Sequence, residues 1–89
     1  KYAKAFVIMP GGYGTLDEFT EAINLIQTKR ISKFPVILFG REYWKGMLVW
    51  LRDKVLKEGN ISKEDLDIFT VVDTPKDVIK AIRKFYAKA

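Results

Sequence analysis

The sequence predicts an α/β fold with a parallel sheet, and three observations carry that prediction. Three short apolar runs, Phe6-Val7-Ile8-Met9, Val36-Ile37-Leu38-Phe39 and Ile68 to Val72, are rich in strand-favouring residues. Each is followed by a longer segment whose apolar residues recur at helical spacing. No Asn-Gly or Asp-Gly hairpin signal joins the runs, so the order β-α-β-α-β-α calls for parallel strands linked by right-handed crossovers.

The first strand is expected over Lys4–Met9, with its apolar part at Phe6–Met9. Pro10 stops it, because proline has no N–H for a ladder. Gly11, Gly12 and Gly14 then take the Cβ atoms out of a tight turn, which lets the backbone adopt φ > 0 and lie close to a ligand. Thr15-Leu16-Asp17-Glu18 reads as a capping box that opens the first helix. Leu16, Phe19, Ile23 and Ile26 form its apolar stripe, widened by Ala22 and Leu25. Asp17, Glu18 and Glu21 at its start and Lys29 and Arg30 at its end complement the helix dipole.

The second strand, Pro35–Phe39, is apolar on both faces, as a parallel sheet covered by helices requires. The longest helix is expected from Tyr43 to about Glu58. Trp44, Met47, Leu48, Leu51 and Val55 face inward, Lys45, Arg52, Asp53, Lys54 and Lys57 face out, and Gly59 ends it in the left-handed conformation. Ser62-Lys63-Glu64-Asp65 starts a single turn of helix. After the strand Ile68–Val72, Thr74 caps a last helix with Pro75 at its first position. Val78, Ile79, Ile82, Phe85 and Tyr86 form its inward stripe.

At 89 residues the chain is one domain or part of one. It starts at Lys1 close to the first strand, and reads as a single partial domain over 1–89 cut from a longer protein. A lone unit of this size buries only about 60–65% of its unfolded surface, so a partner is expected. The net charge of +5 is spread over helix faces without a basic tract. That pattern fits solvated surfaces better than a nucleic-acid interface, while still favouring a phosphorylated ligand. The chain has no Cys, which excludes disulfides and thiol nucleophiles and suits a reducing cytoplasm. No signal peptide or membrane-length apolar run is present, so neither membrane nor nucleic acid is expected as a partner.

Strand, glycine turn and helix N-terminus together make an anion site, with free N–H groups and the positive dipole end aimed at one point. The spacing is neither a Walker A loop nor the dinucleotide fingerprint. Pro10-Gly11-Gly12-Tyr13-Gly14-Thr15-Leu16-Asp17-Glu18 instead resembles the Pro-Gly-Gly-x-Gly-Thr-x-x-Glu signature of the Lonely Guy family, with every fixed position filled. Leu25-Ile26-Gln27-Thr28, Phe34 to Gly40 and Tyr43-Trp44 extend the likeness to its bacterial branch. The whole chain therefore resembles the C-terminal half of such a protein.

The resemblance implies a Rossmann-like, doubly wound sheet of which only the C-terminal β-α-β-α-β-α portion is present. It implies a phosphoribohydrolase (nucleosidase) that cuts the N-glycosidic bond of a nucleoside 5′-monophosphate, AMP-like or of cytokinin type, releasing base and ribose 5-phosphate. It also implies a homodimer or higher oligomer, and an upstream Arg that lies outside this chain and shares catalysis with the motif Glu. Family records often carry the label lysine decarboxylase; that chemistry needs a Schiff-base lysine in a PLP site, which nothing here marks. No cofactor or metal is expected.

Under this reading the N–H groups of Gly11, Gly12, Gly14 and Thr15, with the Thr15 hydroxyl, hold the 5′-phosphate. Glu18 is the catalytic candidate, since a carboxylate beside the ribose serves both an oxocarbenium-like cation and an attacking water. Closing the capping box is its structural alternative. Glu21 can bond a ribose hydroxyl or simply face solvent, Asp17 reads as a surface acid, and Tyr13 can line a base pocket or only pack. Arg41, Tyr43 and Trp44 follow a strand C-terminus, where ligands bind in such sheets, although the two aromatics fit helix docking better. The rival reading is a non-catalytic module: related folds bind nucleotides or molybdenum cofactor without cleaving them.

Overall fold

The computed structural model describes residues 4–88. Along the chain run β1 (Phe6–Ile8), α1 (Tyr13–Gln27), β2 (Val36–Phe39), α2 (Arg41–Trp50), a π-helical stretch (Leu51–Leu56) that carries α2 on, a 3₁₀ turn (Lys63–Asp67), β3 (Phe69–Val72) and α3 (Pro75–Lys88). The three strands form one parallel sheet in the order β1-β2-β3. The architecture is thus α/β and Rossmann-like, as the sequence predicts. The first strand is shorter than expected, because the chain leaves the sheet after Ile8 on its way into Pro10. The third starts one residue late, because Ile68 still has helical angles at the end of the 3₁₀ turn.

Strand register sorts the side chains onto two faces. Phe6, Val36 and Phe69 align, as do Ile8, Leu38 and Val71, and these point to one side. There they meet Phe19, Ala22 and Ile26 of α1 and Trp44 of α2 in one core. The Phe19 and Phe69 rings pack edge to face, 5.3 Å between centroids. On the other side α3 packs against β2 and β3, covering Ile37 and Val72. Val7, beyond the reach of α3 on the β1 edge, stays 38% exposed.

The same geometry corrects the expected inward stripe of α3. Val78, Ile82 and Phe85 are half-buried, but Ile79 is 53% exposed and Tyr86 is also open to solvent. The sheet lies under only one side of this helix. Tyr86 still anchors it to the start of β1, its hydroxyl accepting from the Lys4 N–H and donating to the Lys4 carbonyl.

Helix termini supply two further corrections. α1 begins at Tyr13 rather than Thr15, with Gly12 as N-cap and no side-chain cap. The Leu16 N–H reaches the Gly12 carbonyl at 3.0 Å, so the first turn closes early and no Thr15–Glu18 capping box forms. Asp17, Glu18 and Glu21 consequently sit in the second and third turns, and Lys29 and Arg30 lie past the last turn. α2 starts at Arg41, two residues before the expected Tyr43, because Gly40 at φ 103° turns the chain directly out of β2. Its end agrees better: Gly59 takes φ 80°, and the Asn60 N–H bonds the Val55 carbonyl at 3.0 Å.

The other two caps form as expected. Asp65 and Ser62 close a capping box on the 3₁₀ turn, and the Thr74 hydroxyl accepts the Asp77 N–H at 3.1 Å. No helix among the described residues is long and apolar enough to cross a membrane.

Candidate functional site

The loops that leave β1, β2 and β3 gather at the C-terminal end of the sheet and are tied to one another. After β2, the Gly40 N–H bonds the Val72 carbonyl at the end of β3, at 2.8 Å. After β3, Asp73 accepts the Arg41 N–H at 2.8 Å and so caps α2 from a distant loop. The Arg41 side chain is engaged as well, with Nε 3.4 Å from the Asp73 carboxylate and a terminal nitrogen 3.1 Å from the Val71 carbonyl. This pairing joins two loops, and the ligand role open to Arg41 finds no support in it. Trp44 is buried against the sheet, with its indole N–H on the Phe39 carbonyl at 3.1 Å, which is the docking alternative.

Tyr43 departs from the docking alternative. It is more than half exposed, and its hydroxyl donates to the Gly11 carbonyl at 2.6 Å, linking the α2 N-terminus to the glycine turn. Nothing in its spacing points to that bond. In the sequence only its place just after a strand end marks it.

The glycine turn differs from expectation in its torsions. None of Gly11, Gly12 and Gly14 has positive φ, and Gly12 sits at φ −106°, ψ −140°. The absent side chains matter for room instead. A Cβ on Gly11 would fall on the Thr15 hydroxyl oxygen, whereas Cβ atoms on Gly12 and Gly14 would meet nothing within 4 Å. Those two positions leave space for something outside the chain to approach the backbone.

What it would meet there is a set of donors. The N–H groups of Gly12, Tyr13, Gly14 and Thr15 form no hydrogen bond among the described residues. They stand at the positive end of a 15-residue helix. An anion placed at this turn would meet unpaired donors and the positive end of the helix dipole together.

The acids of α1 separate by direction. Glu18, one turn beyond Thr15 and on the same helix face, lines a groove of about 490 Å³ along the β1 edge with Phe6, Ala22, Leu25 and Phe34. Asp17 lines a different groove of about 700 Å³, toward Leu51, Leu66 and Phe69. Glu21 stands on the ridge between and borders both. Tyr13 is 92% exposed and packs on nothing that would make a pocket wall. Gly11 and Thr15 are thus in close contact within the turn, while Glu18 follows one helical turn on and lines the β1-edge groove, whose described lining holds no residue of the glycine turn. Glu21 borders both grooves and Tyr13 points into solvent.

The comparisons with known proteins agree with this setting. A family model described as "Possible lysine decarboxylase" matches residues 1–82. Three cytokinin riboside 5′-monophosphate phosphoribohydrolases of Arabidopsis thaliana are 34%, 33% and 34% identical to the chain over 85 residues. Each alignment covers 96% of this chain and 39% of the relative, so the chain spans about two fifths of the length of these relatives.

Proposed function

This chain belongs to the Lonely Guy family, and from that premise we propose that it supplies the phosphate-holding loop and catalytic carboxylate of a phosphoribohydrolase. The observation that carries the proposal is the run of unpaired N–H groups from Gly12 to Thr15 beside open space at Gly12 and Gly14. An anion placed there meets several donors and the helix dipole together.

In this reading the substrate is a nucleoside 5′-monophosphate, either AMP-like or of the cytokinin type named for the plant relatives. The N–H groups of Gly11, Gly12, Gly14 and Thr15, with the Thr15 hydroxyl, hold the 5′-phosphate. That fixes the ribose over the next turn of α1, on the side that carries Glu18. As the bond from C1′ to the base nitrogen lengthens, positive charge builds on the ribose. The Glu18 carboxylate stabilises that charge and orients a water toward C1′. Water adds to C1′, the base departs with the bonding pair and takes up a proton, and ribose 5-phosphate remains. Glu21, at the margin, is suited to a ribose hydroxyl. No cofactor or metal enters these steps.

The decarboxylase label is disfavoured on chemical grounds. A Schiff-base lysine is activated by a desolvated or cationic surrounding, and every described lysine is exposed.

The account makes this chain the C-terminal part of the working enzyme. The open β1 edge and the apolar groove beside Glu18 would be covered by a preceding half that brings an Arg to the site, in a cytoplasmic homodimer or higher oligomer. The chain alone is then expected to release no base. The complete protein, incubated with AMP, is expected to liberate free adenine. Saturable AMP binding with no adenine would instead support the non-catalytic reading, a nucleotide or molybdenum-cofactor binder.

A further inference from the structure

The geometry points to Tyr43 as a positioning residue that sets the orientation of the Gly11–Gly12 peptide, and through it the anion affinity of the glycine turn. This inference rests on the proposed phosphate role of that turn. In a trans peptide the carbonyl of one residue and the N–H of the next point in opposite directions. The Gly11 carbonyl is held by the Tyr43 hydroxyl at 2.6 Å, so the Gly12 N–H is turned away from Tyr43. It meets no acceptor among the described residues, and the Cβ direction at Gly12 is open.

A peptide between two glycines rotates with little steric resistance. Rotated by half a turn, it would present a carbonyl oxygen where an anion expects a donor. The Tyr43 hydroxyl rewards only one of the two orientations. It is a remote group, 32 residues on in sequence, anchored at the start of α2 by the neighbouring caps. Arg41 is fixed by Asp73, and the Tyr43 ring rests edge to face on buried Trp44 at 5.0 Å. The hydroxyl therefore approaches the turn from a firm base without occupying the open side.

The consequence is an affinity effect with the fold retained. A binding-competent orientation that is only partly populated weakens apparent affinity by that fraction. Losing one hydrogen bond of ordinary net strength corresponds to about a three- to tenfold loss.

The test titrates the ¹⁵N-labelled complete protein with inorganic phosphate and follows the amide signals of Gly12, Tyr13, Gly14 and Thr15. In the wild-type protein these signals should move saturably. Tyr43→Phe should raise the phosphate Kd about three- to tenfold, stay folded with its melting temperature lowered only by the loss of that one bond, and move the Gly12 amide in the free state. Fluorotyrosine in place of Tyr43, a stronger donor of nearly the same shape, should lower the Kd; it also covers the case in which Tyr43→Phe does not fold. Equal Kd values for wild type and both variants would overturn the role of Tyr43 and leave the phosphate reading standing. Absence of any phosphate-dependent shift in the wild-type turn would overturn both.

Discussion

The hydroxyl oxygen of Thr15 occupies the place where a side chain on Gly11 would begin. Gly11 is therefore required by a neighbour within the protein, while Gly12 and Gly14 face open space. Three glycines that look alike in sequence have two distinct reasons to be there.

Substitution should separate those reasons. Gly11→Ala forces Thr15 from its position and is expected to cost about 1–3 kcal/mol, as overpacked sites do. Gly14→Ala, inside the first helical turn with no clash, is expected to stabilise α1 by about 0.5–1 kcal/mol. It should nevertheless weaken phosphate binding, because the new methyl group stands where the ligand approaches. Urea unfolding and phosphate titration on both variants check the pair. Unchanged phosphate affinity in Gly14→Ala would speak against the open side as the anion site.

A second prediction concerns the end of α1. Lys29 holds φ 62°, with its N–H on the Ile26 carbonyl at 3.0 Å and the Arg30 N–H on the Leu25 carbonyl at 2.9 Å. That is a Schellman ending with lysine where glycine is usual. A left-handed conformation costs a residue with a Cβ about 1–2 kcal/mol, part of which glycine returns through its freer unfolded state. Lys29→Gly is expected to raise the melting temperature, and a thermal scan of the two proteins decides it.

Asp65 gives a pH dependence with a definite sign. Its Oδ2 accepts the Ser62 N–H at 2.8 Å and the Gln27 side-chain amide at 2.7 Å. The Ser62 N–H is the chief cause that holds the carboxyl below its ordinary 3.8. A carboxylate whose pKa is depressed by folding adds stability above its unfolded pKa and loses it as pH falls through the folded one. The stability gap between wild type and Asp65→Asn should be full near neutrality. It should begin to close as pH drops toward 3.8 and vanish at still lower values. Denaturant unfolding over that range measures it; a gap independent of pH would contradict the assignment.

How much of this was legible in the sequence varies with the range of the interaction. β2 was readable to within one residue, Val36–Phe39 against the expected Pro35–Phe39, because Pro35 and Gly40 bracket an unbroken apolar run. The Ser62 and Thr74 caps were readable because their partners lie three residues away. The α1 start was misread: Thr15 and Glu18 have capping-box spacing, but Gly12 offers its carbonyl first and the helix closes around it. Contacts between loops were not legible at all. Tyr43 to Gly11 and Arg41 to Asp73 each join residues 32 apart, and only the sheet order brings them together. Nor could periodicity reveal that Ile79 and Tyr86 lie beyond the sheet, since it reports which side of a helix is apolar and says nothing of what covers it.

Glu18 bears the central claim, and the decisive measurement is turnover by Glu18→Gln in the complete protein, with AMP as substrate. The structure lacks the capping box that would have given this side chain a structural task, so the variant should keep the melting temperature. The proposed phosphate contacts lie in the glycine turn, so KM should change little. Base release should fall by about a hundredfold or more, the scale of a general base or an electrostatic stabiliser, and the loss should appear in kcat, as it does for an interaction made only in the transition state. Adenine release by Glu18→Gln at close to the wild-type rate would contradict the account.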